Sequence, residues 1–131
     1  MKVVSDTSVI VAVIAGEPDR DRLIELTQGA DLIAPPSLHW ELGNALAAQI
    51  RRGRLTLDGA DHFLRVYQTI PIQFVEVSLA AALEIAQARG IYAYDACMIA
   101  CAEKFRCPLL TLDKGLVRAA QETGTDVLEV N

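Results

Sequence analysis

The sequence predicts an α/β domain built on a parallel sheet with helices on both faces, and three observations carry that prediction. Short apolar runs of strand length alternate with longer segments in which leucine, isoleucine and alanine recur at helical spacing. Most of the helical segments stop at a glycine, as at Gly29, Gly53, Gly90 and Gly124. No repeat, linker or low-complexity stretch interrupts the alternation, so right-handed crossovers can join successive strands in one sheet.

In chain order, Lys2 to Ser5 reads as a buried strand, and Thr7 to Ile14 as a short apolar helix ending near Gly16 and Pro18. Asp19 to Gln28 carries Leu23, Ile24 and Leu26 at helical spacing, and Asp31 to Ala34 is strand-like before Pro35-Pro36 breaks the chain. Ser37 is a plausible cap for a long helix running to about Arg52, and Leu57 to Tyr67 makes the second arm of a helical hairpin. Phe74 to Val77 is expected as a third strand, Ser78 as the cap of a helix through Ala88, and Tyr94 to Phe105 as an alanine-rich helix. Leu109 to Leu112 supplies a fourth strand, Lys114 to Glu122 a last helix, and Val127 to Val130 a fifth strand.

The bulk properties narrow the function. A chain of 131 residues fits one domain, 1–131, large enough to bury a core without disulfides or structural metal. An apolar fraction of 52% and a charged fraction of 22% exclude a disordered tail and give no reason to invoke a membrane. Met1-Lys2 leads directly into a strand, without the apolar run and small-residue site of a secretory signal, so a cytoplasmic location is expected. Cys97, Cys101 and Cys107 are an odd number in an apolar context and read as reduced, packed thiols. His39 and His62 have no ligand-like spacing to them, which leaves zinc with little support.

The chemistry is carried by acids. Asp6 follows the first strand and Asp113 the fourth, and in a parallel sheet both emerge at the carboxyl edge, where ligands bind. Each also suits a helix cap, and Asp95, in the first turn of its helix, suits the helix dipole. Glu41 does not fit such a role: it sits mid-helix among Leu38, Trp40, Leu42, Ala45, Leu46 and Ala48, and a partly buried glutamate there calls for a cation. Asn44, three residues on, can support that carboxylate or a metal-bound water, although a helix-surface pair is an equal reading of this segment. Convergent carboxylates select hard cations, Mg2+ or Mn2+, whose chemistry is activation of water for attack on a phosphoester. The net charge of −5 opposes nucleic-acid binding, but two divalent cations would offset four of those charges. Arg51, Arg52, Arg54, Lys114 and Arg118 are candidates for holding a phosphate backbone, with solvated helix ends as the commoner explanation of the arginines. An aromatic content of 5% gives little support to base stacking.

Four segments together resemble the PIN-domain ribonucleases, in particular VapC-type toxins of toxin-antitoxin pairs: Val4-Ser5-Asp6-Thr7-Ser8, Glu41-Leu42-Gly43-Asn44, Tyr94-Asp95-Ala96 and Leu110-Thr111-Leu112-Asp113. Each pattern is weak alone, and their joint order and spacing span the chain. The resemblance implies a three-layer α/β/α PIN-like domain with a mainly parallel sheet of about five strands. It implies Mg2+ or Mn2+ at Asp6, Glu41 and Asp95, completed by Asp113 directly or through water, with Ser8 and Thr111 as hydroxyls near metal water or phosphate. It further implies endonucleolytic RNA cleavage, a homodimer and a cognate VapB-type antitoxin.

Other readings compete. A haloacid-dehalogenase-type phosphatase needs a second aspartate two residues after the first, where Ser8 stands. A receiver-type domain needs adjacent acids at the first strand, and mid-helix Glu41 fits it poorly. A non-catalytic binding module, or a metal-dependent nuclease or phosphatase outside toxin-antitoxin systems, remains as the alternative.

Overall fold

The computed structural model describes all residues, Met1–Asn131. Its elements are β1 (Lys2–Ser5), α1 (Thr7–Ala15), α2 (Arg20–Thr27), β2 (Asp31–Ala34), α3 (Ser37–Arg51), α4 (Leu57–Tyr67), β3 (Ile72–Phe74), α5 (Leu79–Arg89), α6 (Ala93–Phe105), β4 (Leu109–Leu110) and α7 (Lys114–Thr123). The sheet is parallel throughout, in the order β3-β2-β1-β4. β1 is therefore central, and its side chains alternate between two apolar cores: Val4 joins a large one with α3 to α7, and Val3 a smaller one with α1 and α2. Both valines are fully buried, each worth roughly 1.5–3 kcal/mol of transfer free energy. The predicted three-layer α/β architecture is the one observed.

Two strands differ from expectation for reasons the hydrogen bonds make plain. β3 spans Ile72–Phe74 rather than Phe74–Val77, because β2 ends at Ala34 and the following Pro35 and Pro36 have no N–H to donate; only Val75 N still reaches Ala34 O. The fifth strand, Val127 to Val130, is reduced to a single parallel bridge between Val127 and Leu109. The N–H of Leu109 donates to Asp126 O and its carbonyl accepts from Leu128 N, and a two-residue β4 offers no further rungs. The sheet thus has four strands.

Ser37 does not cap α3. The helix begins at Ser37 itself, preceded by Pro36, and the Ser37 hydroxyl is buried without a partner. Ser78 does cap α5, accepting from Ala81 N at 3.2 Å. The three cysteines are free; Cys101 is fully buried, and burial pushes its thiol up to about 12, so it acts as a small apolar group in the core.

Candidate metal and phosphoester site

β1 and β4 are neighbours in the sheet, and the segments leaving their carboxyl ends deliver Asp6 and Asp113 to one edge. Asp6 precedes α1 in extended conformation, where a capping aspartate would stand, but its side chain caps nothing. Instead Asp6 Oδ2 accepts from Ser8 Oγ at 2.8 Å and from Thr111 Oγ1 at 2.8 Å. Those hydroxyls are themselves acceptors: Leu112 N donates to Ser8 Oγ at 3.0 Å and Asp113 N to Thr111 Oγ1 at 3.0 Å. The result is a closed net that fixes a carboxylate only 5% exposed and leaves Oδ1 as its uncommitted oxygen.

Asp113 behaves differently. Its Oδ1 accepts from Gly115 N at 2.8 Å and Leu116 N at 3.2 Å, so it is the N-cap of α7. One oxygen is spent on the helix and the residue is exposed. Glu41 lies one turn into α3, between buried Leu38 and Leu42, and its Oε1 is buried with no hydrogen-bond partner. Burial, then the charges of Asp6 and Asp95, push its carboxyl up from an ordinary 4.5 to about 7. Asp95, in the first turn of α6, is raised from 3.8 to about 6 by burial first, then by Asp6 and Asp113. The four acids therefore act on one another electrostatically although they come from four separate elements.

No three of the chain's His, Cys, Asp or Glu side chains stand close enough together to hold a metal ion as they are. Uncompensated carboxylates repel, and a gathered set is the arrangement a cation would have to supply. The donor set nevertheless suits a hard cation: oxygen ligands only, one buried carboxylate oxygen orphaned, and two carboxyls with elevated proton affinity.

Glu41 and Asp113 open onto a cleft of about 820 Å3 lined also by Thr7, Ser8, Asn44 and Tyr94, among others, whereas Asp6 and Asp95 lie beside it without lining it. Asn44 is thus at the site. Glu17, just past the left-handed Gly16 (φ 72°) that closes α1, also lines it, as do Trp40 and Leu112. Sequence reasoning did not single out Glu17, because nothing local marks a solvent-exposed turn residue as facing a cleft. Of the basic residues, Arg51, Arg52 and Arg54 are exposed at the far end of α3, about 15 Å along its axis from Glu41, while Lys114, next to Asp113, and Arg118 are exposed on α7 and do not line the cleft.

The chain as a whole is similar to known proteins. Residues 3–122 match the family model described as PIN domain. The chain is 32% identical over 122 residues to Ribonuclease VapC3 of Pyrobaculum aerophilum, covering 88% of this chain and 92% of that protein. Among solved structures it is similar to PAE2754 of Pyrobaculum aerophilum, with a TM-score of 0.71 at 26% identity over 91% of this chain and 87% of that one. A VapBC2 structure from Rickettsia felis, bound to a promoter DNA fragment, shares the fold with a TM-score of 0.69 at 13% identity, covering 98% of both chains. FitAcB from Neisseria gonorrhoeae likewise shares it, with a TM-score of 0.66 at 23% identity over 98% and 97% of the two chains.

Proposed function

The chain belongs to the PIN domain family, and from that premise we propose that it is a Mg2+- or Mn2+-dependent endoribonuclease acting as the toxin of a toxin-antitoxin pair. The observation that carries the metal is Glu41: a carboxylate on an apolar helix, one oxygen buried without a partner, its proton affinity raised by Asp6 and Asp95. A half-buried carboxylate in that state is stabilised by a cation.

Asp6, through the oxygen its hydroxyl net leaves free, Glu41 and Asp95 would hold the ion, and Asp113 would contribute through the oxygen not spent on its cap. When bound, the ion supplies an activated water and charge stabilisation on the phosphate. Ser8 and Thr111 orient Asp6, since their protons are already donated to it. Glu41 and Asp95 release protons as the ion enters, so the site loads more readily as pH rises. Asn44 offers an amide at the cleft wall for a substrate oxygen.

The relatives support the partners: VapC3 is a ribonuclease, and a toxin-antitoxin complex from Klebsiella pneumoniae shares the fold with a TM-score of 0.56. A homodimer is supported by Leu79 and Leu83, exposed one turn apart on α5. No helix is long and apolar enough to cross a membrane.

The test is incubation of total RNA with the wild-type protein under Mg2+, Mn2+ or EDTA, beside Asp6→Asn, with mapping of the cut ends. Cleavage restricted to the wild type with metal is expected. Equal cleavage in EDTA, or by a folded Asp6→Asn protein, would overturn the proposal.

A further inference from the structure

Two aromatic residues from different helices line the cleft. Trp40 immediately precedes Glu41 on α3, and Tyr94 immediately precedes Asp95 on α6, and both rings line the cleft while remaining 68% and 53% exposed. Large rings left this open to water forgo the hydrophobic gain of burial, which is the condition of a surface awaiting a partner. Trp40 is also held. His39 meets it edge-on at 4.9 Å between ring centroids, and His39 is itself flanked by Phe74 at 6.5 Å and by Tyr67, whose hydroxyl lies 3.5 Å from His39 Nδ1. An indole held edge-on by a neighbouring ring and otherwise exposed at an open cleft is a preorganised platform.

Resting on the ribonuclease reading above, we infer that Trp40 and Tyr94 are substrate-positioning residues that stack bases flanking the scissile phosphate. Paired bases are already stacked on each other and do not offer a free face to a ring, whereas splayed bases do. Stacking also answers the charge problem. No lysine or arginine is among the residues that line the cleft, so base stacking adds a source of affinity there. His39 has no direct part; it positions the indole.

Trp40 is the chain's single tryptophan, so intrinsic fluorescence reports on it alone. The experiment uses the Asp6→Asn protein, to prevent turnover, titrated in Mg2+ with a short mixed-sequence single-stranded RNA, the same RNA as a duplex, and an abasic oligonucleotide of equal length. Quenching by the single strand, and much less by the duplex or the abasic strand, is expected. In the same background, with binding read from the anisotropy of a dye-labelled strand because the Trp40 variants lack the indole, Trp40→Ala lowers affinity for the base-bearing strand roughly 5- to 150-fold and leaves the abasic strand unaffected. Tyr94→Ala lowers it in the same sense, and Trp40→Phe recovers part of the loss. Circular dichroism verifies that each variant is folded. Quenching by all three ligands alike, or unaltered affinity in a folded Trp40→Ala protein, overturns the inference. So does quenching by a basic peptide alone, which would assign the platform to a protein partner. If wild-type protein cleaves RNA and Trp40 proves indifferent, only the stacking inference falls; if wild-type protein cleaves no RNA with metal, the functional reading falls first.

Discussion

Thr111 Oγ1 donates to Asp6 Oδ2 at 2.8 Å across 105 residues of chain, and the same oxygen accepts from Asp113 N at 3.0 Å. One buried hydroxyl thus links the end of β1 to the β4–α7 turn. Thr111→Val keeps the shape and deletes both bonds, leaving the Asp113 N–H without an acceptor. A loss of about 1–3 kcal/mol is expected from urea denaturation, with a matching fall in RNA cleavage. Thr111→Ser restores both. Wild-type stability in the valine variant would show that the net does not hold Asp6.

Asp6 and Asp113 both stand before helices, and only Asp113 caps one. Asparagine is as good a cap as aspartate, so Asp113→Asn keeps the stability of α7 while Asp113→Ala loses about 1 kcal/mol. In activity the order reverses. Asp113→Asn, altering a residue with one oxygen already committed, costs roughly 10–100-fold. Asp6→Asn costs more, because the closed hydroxyl net holds that carboxylate rigidly toward the acids. Thermal melts and cleavage rates on the three variants decide it; equal activity losses would refute the division of labour.

Such distinctions mark the limit of what the sequence could tell. An aspartate after each of two apolar strands was legible, since a parallel sheet sends both to one edge. Glu41 was legible as anomalous because its helix neighbours are apolar. What separates the Asp6 role from the Asp113 role is two hydroxyls, one of them Thr111 at the other end of the chain, and no local pattern encodes that. Asp95 reaches the cluster through the packing of α6 on β1 and α3, a tertiary outcome. The aromatic content argued against stacking as a bulk figure, whereas position places two exposed rings at one cleft. The strand errors have the same origin: β3 and the last segment are set by which N–H groups their neighbours offer, notably by Pro35 and Pro36 offering none.

Glu41→Gln removes a buried negative charge that burial and two neighbouring aspartates oppose. The metal-free protein should therefore become more stable, with a melting temperature roughly 2–5 °C higher, while cleavage is lost. Scanning calorimetry in EDTA checks the first half and an RNA assay the second. A lower melting temperature would mean that Glu41 is held by partners beyond the repelling acids.

The same residues set the response to pH. A carboxyl whose folded value exceeds its unfolded value binds its proton more tightly in the native state, so stability is lost as pH rises from the unfolded value through the folded one. For Glu41 that window runs from 4.5 to about 7, and for Asp95 from 3.8 to about 6. Metal-free protein should accordingly unfold at lower urea at roughly pH 8 than at roughly pH 5, and Glu41→Gln should flatten the difference. Bound Mn2+ reverses the sign, since the ion needs the deprotonated acids and competes with their protons. Calorimetric titration with Mn2+ should show affinity rising through the interval from about pH 5 to about pH 7 with protons released into the buffer. Affinity independent of pH across that interval would remove Glu41 and Asp95 from the set of ligands.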